Sequence, residues 1–288
     1  MVLVTGASSG IGRQVALEFA AQGAKLALVA RRAARLEAVA AACRDASREA
    51  SPDATPDARR EPGCKASGEV QLLVGDLGER GFARSLVERI VAHYGRLDVV
   101  VNNAGMPKHK QIYDVSLEDL DQTLEVNFMA PAAICLAALP VMLRQGGGAL
   151  VNVSSVAGRV APPRETIYAA SKFALTGFSE GLAQDLAGSG IHTVVVHVGP
   201  IDTEIWGKAA AEAPVAYRGR KYPPERVSEA IFRCLEEHRF ERSVPRSMGL
   251  VGVLKALLPG LLRRGNARFD PVSGEVVARA RRAAQQRH

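Results

Sequence analysis

Two periodicities take turns along this chain. Short, continuous apolar runs such as Val2-Leu3-Val4, Val99-Val100-Val101 and Val194-Val195-Val196 read as strands buried on both faces. Between them, apolar residues recur at helical spacing, as Ile11, Val15, Phe19 and Ala20 do. The pattern predicts strands at 2–4, 25–30, 70–75, 97–101, 149–153 and 191–197, with a seventh at 243–245. It predicts helices near 11–22, 33–46, 79–94, 117–144, 166–187 and 224–237. Strands that alternate with helices imply an α/β fold, a doubly wound parallel sheet with right-handed crossovers. Residues 47–68 break the rhythm. They hold Pro52, Pro56 and Pro62 and almost no large apolar side chain, which predicts a mobile surface insertion.

At 288 residues the chain can bury one doubly wound domain, and nothing in it asks for two. No repeat is visible, and no apolar run reaches the roughly 18 residues of a membrane span. The N-terminus enters a strand at once, so no signal peptide is expected; that strand is short enough to suggest that a few residues precede this start. Cys43, Cys64, Cys135 and Cys234 stand far apart without metal-ligand spacing, which predicts no metal site and a reduced, cytoplasmic setting.

Charge changes the picture at one end. The net charge is +7, yet residues 239–288 hold eleven Lys/Arg against three Asp/Glu and so carry +8 by themselves. Within this basic C-terminal extension, Met248 to Arg264 is apolar and flanked by cations. Pro259 leaves it too short and too broken to span a bilayer. Three readings stay open: it packs on the body or a second subunit, it covers a pocket, or residues 246–264 make a peripheral contact with an anionic membrane surface. Nucleic acid is not an expected partner, because the interleaved aromatics of such a binder are missing.

Candidate chemistry gathers at three places. Thr5-Gly6-Ala7-Ser8-Ser9-Gly10-Ile11-Gly12 joins the first strand to the first helix. Glycines let the backbone approach a pyrophosphate, and the helix N-terminus offers unpaired N–H groups. The spacing is G-x-x-x-G-x-G rather than G-x-G-x-x-G, and a purely structural turn is the alternative. The strand 97–101 runs into Asn102-Asn103-Ala104-Gly105, at the carboxyl end where open α/β sheets bind their ligands. Tyr168 and Lys172 lie four residues apart, so one turn of helix brings a phenol and an ammonium to one face. A nearby ammonium favours the phenolate and is expected to lower the tyrosine pKa toward the range of proton exchange.

The set T-G-x-x-x-G-x-G, then N-N-A-G, then a serine followed by Y-x-x-x-K resembles the short-chain dehydrogenase/reductase family, over roughly residues 1 to 235. The resemblance implies a Rossmann-type sheet and makes 1–238 a dinucleotide-binding catalytic domain, 204–222 a variable substrate loop with Trp206 as a candidate pocket wall, and 239–288 an extension. It implies that Thr5, Gly6, Ser8, Ser9, Gly10, Ile11, Gly12, Asn103, Ala104, Gly105, Gly199 and Thr203 border the cofactor, with Asp76 and Leu77 near its adenine. The family's catalytic serine stands thirteen residues before the tyrosine, which selects Ser155 over Ser154. Ser155 would hold the substrate oxygen, Tyr168 would exchange the proton, and Lys172 would lower the Tyr168 pKa and hold the nicotinamide ribose. Asn127 would support a proton relay to Lys172. Val198 departs from the family, which usually has proline there, and makes the turn before Gly199 less rigid.

Cofactor choice is argued from charge. After the second strand the chain has Arg31-Arg32 and no acid, which favours the 2′-phosphate of NADP(H) over NAD(H). Arg31 is the first candidate and Arg32 the second; both could instead simply open a solvated helix. The expectation is an NADP(H)-dependent oxidoreductase interconverting a moderately apolar carbonyl compound and its alcohol. The alternatives are an NAD-dependent alcohol dehydrogenase and a non-catalytic NADP(H) sensor. Homodimers or tetramers are implied, with the helices at 117–144 and 166–187 as contact surfaces.

Overall fold

The computed structural model describes residues 1–50, 68–204, 219–269, 271 and 273–285. Seven parallel strands form a single sheet: β1 (Val2–Thr5), β2 (Leu26–Ala30), β3 (Val70–Val74), β4 (Val99–Asn102), β5 (Gly148–Ser155), β6 (Ile191–Val198) and β7 (Glu241–Val244). Their spatial order is β3-β2-β1-β4-β5-β6-β7. The order reverses between β1 and β4, which pair with Leu3 opposite Val100 and Val4 opposite Val101. A crevice opens at such a reversal because the flanking connections leave in opposite directions.

Alternation along the strands sorts the core into two halves. Val2 and Val4 point to one face with Leu28, where α1 (Gly10–Ala21) and α2 (Ala33–Glu49) supply Val15, Phe19, Leu36 and Val39. Leu3 points to the other face with Leu73 and Leu150, against α3 (Arg80–Tyr94) and a long helix that supplies Ile134, Ala138 and Met142. That helix comprises α4 (Leu117–Leu124), a π-helical turn (Glu125–Met129) and α5 (Ala130–Gln145). A capping box opens α4, with Ser116 and Asp119 bonding each other's backbone N–H groups. The two halves of the domain are completed by α6 (Thr166–Asp185), with Leu182 in the second core, and α7 (Glu225–Glu236), with Val227 and Ile231 in the first.

Two expectations need correcting. Residues 47–49 continue α2 instead of starting the insertion, and Ser47 is buried; positions 51–67 lie outside the described residues. The 29-residue stretch Leu117–Gln145 is long and apolar enough to cross a membrane, which a search for unbroken apolar runs overlooks. Here it serves as a core helix, with Ala130, Ile134, Cys135, Ala138 and Met142 buried. The C-terminal extension beyond β7 is helical: α8 (Gly249–Leu257), α9 (Pro259–Phe269) and α10 (Gly274–Gln285). Pro259 starts α9, where its missing N–H costs nothing.

Leu150, at the centre of β5, is fully buried in the second core. Leu150→Ala is expected to destabilise the protein by about 2–5 kcal/mol, seen as a lower urea midpoint at unchanged m.

Candidate active site

The carboxyl ends of β1 and β4 are laced together. Thr5 Oγ1 accepts from the backbone N–H groups of Asn103 (3.0 Å) and Ala104 (3.1 Å) and donates to Val101 O (3.3 Å). The Asn103 side-chain amide donates to Thr5 O at 3.0 Å and reaches Gly6 O at 3.4 Å. Helix α1 must enter through this lacing. A Cβ on Gly12 would sit 2.4 Å from Gly6 O and 2.5 Å from Asn103 Nδ2, so the position admits no side chain. Gly10 has φ +53°, and its Cβ would come within 2.8 Å of Thr203 Cγ2. Ser9 stands at the N-cap without a side-chain cap, and no acid occupies the first turn. The first N–H groups of α1 are therefore available to an anion.

A cavity of ≈ 790 Å³ opens above this turn. Gly6, Ser8, Ser9, Gly10 and Ile11 form its floor, with Arg31, Arg32, Asp76 and Leu77 at one end and Asn103, Ala104 and Gly105 in the middle. Tyr168, Lys172 and Val198 line the other end, and Thr203 and Glu204 stand over Gly10 and Arg32. Thr5 and Gly12 support the floor from beneath. Gly199 does not border the cavity: its N–H donates to Val244 O (2.8 Å) and it faces β7. An elongated cavity with a glycine floor, a helix N-terminus at its centre and arginines at one end fits a dinucleotide. Residues 205–218, including Trp206 and most of the expected substrate loop, lie outside the described residues.

The reactive end draws on four elements. Ser155 ends β5, where its Oγ donates to Val198 O (3.3 Å), accepts from Ala157 N (3.1 Å) and bonds the Tyr168 phenol. Ser154 borders the cavity, as Ser155 does not, and its Oγ bonds Lys172 O (3.3 Å) and Thr176 Oγ1 (3.0 Å) on α6. Lys172 is 4% exposed, and its Nζ donates to Val153 O (2.9 Å) and lies 5.9 Å from the Tyr168 ring centroid. Asn127, fully buried, sits in the π-helical turn. Its Oδ1 accepts from Met106 N (2.7 Å), and its Nδ2 donates to Met106 O (3.0 Å) and Ser171 Oγ (3.0 Å). The extra residue of a π turn re-aims a side chain that a regular helix would point elsewhere. Gly105 separates Asn127 from Lys172: a Cβ there would lie 3.6 Å from Asn127 Oδ1 and 3.7 Å from Lys172 Nζ.

Electrostatics at this end reverse one expectation. Burial pushes the Tyr168 phenol up, the Glu165 carboxylate one turn earlier adds to the rise, and the Ser155 bond only partly opposes it. Lys172 therefore does not set the tyrosine low in these surroundings; its own pKa is pushed down to about 8 by burial. Glu165 is itself buried beside His109, whose Nδ1 lies 2.8 Å from its Oε1. Sequence reasoning missed Glu165 and His109, although Glu165 stands just three residues before Tyr168.

At the opposite end, Arg31 forms an ion pair with Asp76 (3.5 Å). Arg32 folds over the turn and donates to Ser8 Oγ (3.1 Å) and Ser9 Oγ (2.9 Å), which makes it the better-placed of the two arginines. Arg35 joins it on the carboxylate of Glu204. Sequence reasoning missed Arg35; its place three residues after Arg32 on a predicted helix was the available signal.

The sequence model of the short chain dehydrogenase family matches residues 1–59 and 53–214. An oxidoreductase of Thermotoga maritima is 37% identical, over 71% of this chain and 72% of its own. The 11-beta-hydroxysteroid dehydrogenase 1A of Arabidopsis thaliana is 39% identical, but the match spans 71% of this chain and just 53% of that protein. Among solved structures, a short-chain dehydrogenase from Sphingobium yanoikuyae in complex with NADPH superposes with a TM-score of 0.72 at 29% identity, covering 90% of this chain and 94% of that one.

The Lys172 pKa carries a prediction for stability. An ordinary lysine, as in the unfolded chain, titrates near 10.5, whereas the folded value is about 8. Between these values the unfolded chain binds the extra proton, so the lysine's unfavourable contribution is relieved as pH rises. Relative to Lys172→Met, the native protein is expected to gain up to about 3 kcal/mol between pH 8 and 10.5. Urea midpoints of both proteins across that range check it; parallel profiles would refute it.

Proposed function

The chain belongs to the short-chain dehydrogenase family, and on that premise we propose that it interconverts a ketone or aldehyde and an alcohol with NADP(H). It is an oxidoreductase acting on CH–OH groups, with a Rossmann-type sheet to hold a nicotinamide dinucleotide. The meeting of Tyr168 and Lys172 at one end of the cavity, opposite Arg32, with Ser155 bonded to the Tyr168 phenol, carries the finer reading. When bound, the cofactor supplies or accepts the hydride. Ser155 Oγ orients the substrate oxygen and stabilises charge on it. The Tyr168 hydroxyl gives that oxygen a proton during reduction and takes one during oxidation. Surroundings that keep the phenol protonated favour reduction at neutral pH. Lys172 supplies positive charge next to the phenol and a donor for the nicotinamide ribose. Asn127 fixes the 105–106 backbone next to Lys172, where water can connect the amine to solvent.

NADP(H) is preferred because Arg32, Ser8 and Ser9 form a cluster of donors at the adenosine end where NAD-specific sites carry an acid. The NADPH complex of the Sphingobium relative accords with this choice. The competing reading, a non-catalytic NADP(H) sensor, has no use for Ser155 and Tyr168. Screening carbonyl compounds with NADPH and NADH tests both points. The wild type is expected to show a higher kcat/KM with NADPH, and Tyr168→Phe to lose at least about 100-fold in kcat while still binding NADPH. A Tyr168→Phe protein with unchanged turnover would refute the assigned role.

Two surfaces suggest partners. Met129, Leu136 and Leu143 recur every seven residues on the outer side of the π turn and α5 and are exposed, a face suited to a second copy of the chain. On α8, Leu250, Val253, Leu254 and Leu257 form one exposed apolar row, continued by Leu258 and Leu261 and followed by Arg263, Arg264 and Arg268. Lys255 anchors this helix to the body, donating to Arg159 O (2.8 Å) and lying 4.4 Å from the Phe173 ring centroid. An anchored apolar row bordered by arginines suits the surface of an anionic bilayer and an apolar substrate taken from it. Elsewhere the buried, unpaired thiols of Cys43, Cys135 and Cys234 suit a reducing cytoplasmic setting. The protein is expected to pellet with phosphatidylserine-containing vesicles, and Leu250→Glu/Leu257→Glu to stay in the supernatant; equal pelleting of both would end the membrane reading.

A further inference from the structure

Glu204 reaches across the Gly-rich turn to the arginines at the start of α2. Arg32 Nη1 lies 3.3 Å from Glu204 Oε2, and Arg35 Nη1 donates to the same oxygen. These hydrogen bonds, Arg35's first, hold the Glu204 carboxyl below the usual carboxylate range. The other nitrogen of Arg32 stays on Ser8 and Ser9. Glu204 is delivered by its neighbour Thr203, whose side chain packs so closely on Gly10 that a Cβ there would sit 2.8 Å from Thr203 Cγ2. Ser8, Ser9, Arg32 and Glu204 all line the same cavity.

We propose that Glu204 is a cofactor-specificity residue whose carboxylate competes with the 2′-phosphate of NADP(H) for Arg32 and Arg35. This rests on the NADP(H) reading above. A phosphate dianion and a carboxylate cannot share the same two guanidinium groups without strong like-charge repulsion, so one must leave. Entry of the phosphate therefore carries the cost of releasing Glu204. NAD(H) has a ribose hydroxyl at that position and incurs no such cost; the carboxylate can stay and accept a hydrogen bond from it. Glu204 thus narrows the preference that Arg32 and Arg35 create, and does so from the segment after β6, far in sequence from the usual position at the end of β2.

The test is a fluorescence titration of NADPH and of NADH, with wild type, Glu204→Gln, Glu204→Ala and Arg32→Ala. The ion pairs are exposed, so the gain is modest: Glu204→Gln and Glu204→Ala are expected to tighten NADPH binding about two- to five-fold, and NADH binding not at all. The gain should shrink in 1 M salt, which screens the competing charges. Unchanged NADPH binding, or an equal gain for both cofactors, overturns the proposal. Arg32→Ala separates the two levels of the argument. If it weakens NADPH selectively while the Glu204 variants show no gain, only the competition is wrong. If it affects both cofactors alike, the NADP(H) reading fails and this inference fails with it.

Discussion

Everything at this site depends on the closeness of two backbone segments, the turn after β1 and the end of β4. Thr5 and Asn103 hold them together with bonds that use both backbone and side-chain groups. The contact is so tight that Gly12 cannot carry a methyl group. It occurs where strand order reverses, so the two connections diverge and a long cavity opens above. The glycines are thus needed twice: to let α1 approach β4, and to leave its first N–H groups facing the cavity. Loss of either would close the site without touching any reactive group.

The remaining side chains are placed by elements that the clamp brings within reach. β5 lies beside β4 in the sheet and carries Ser155 to the same edge. α6 crosses behind it, so the i, i+4 spacing of Tyr168 and Lys172 aims both toward the end of the cavity. The π turn adds the residue that turns Asn127 inward to grip the 105–106 backbone. Four separate segments meet within a few ångströms, yet each is held by bonds to main-chain atoms. Such bonding costs little adaptability and fixes geometry well.

Much of this was legible in the sequence. Six of the strands and the helices of the body follow from apolar periodicity, because strands buried on both faces write continuous runs and the covering helices write a 3.6 period. The seventh strand, β7, reads Glu-Arg-Ser-Val and writes no such run. The glycine turn, Asn103 and the Tyr168–Lys172 pair are contiguous motifs, and their combination, with the family resemblance it carries, singled them out. What stayed hidden is what depends on distant segments meeting. Glu204 joins Arg32 across 172 positions, and His109 meets Glu165 through a loop whose course no local pattern sets. The rise of the Tyr168 pKa was misread for the same reason. Charge spacing is local, whereas desolvation depends on everything that packs around the phenol.

That misreading bears on how the pair works. Lys172 with a pKa near 8 remains mostly charged at neutral pH but holds its proton loosely. Next to it, a phenol raised by burial and by Glu165 holds its proton firmly. A firmly held proton still moves readily to an alkoxide, whose pKa is far higher, and needs no prior ionisation of the tyrosine. Removing a proton from an alcohol would require the phenolate first, which the low-dielectric surroundings oppose. On the proposed mechanism two influences therefore oppose each other at the phenol. Burial and Glu165 hold its proton, which suits donation to an alkoxide, while the Lys172 charge beside it favours the phenolate that the reverse reaction needs.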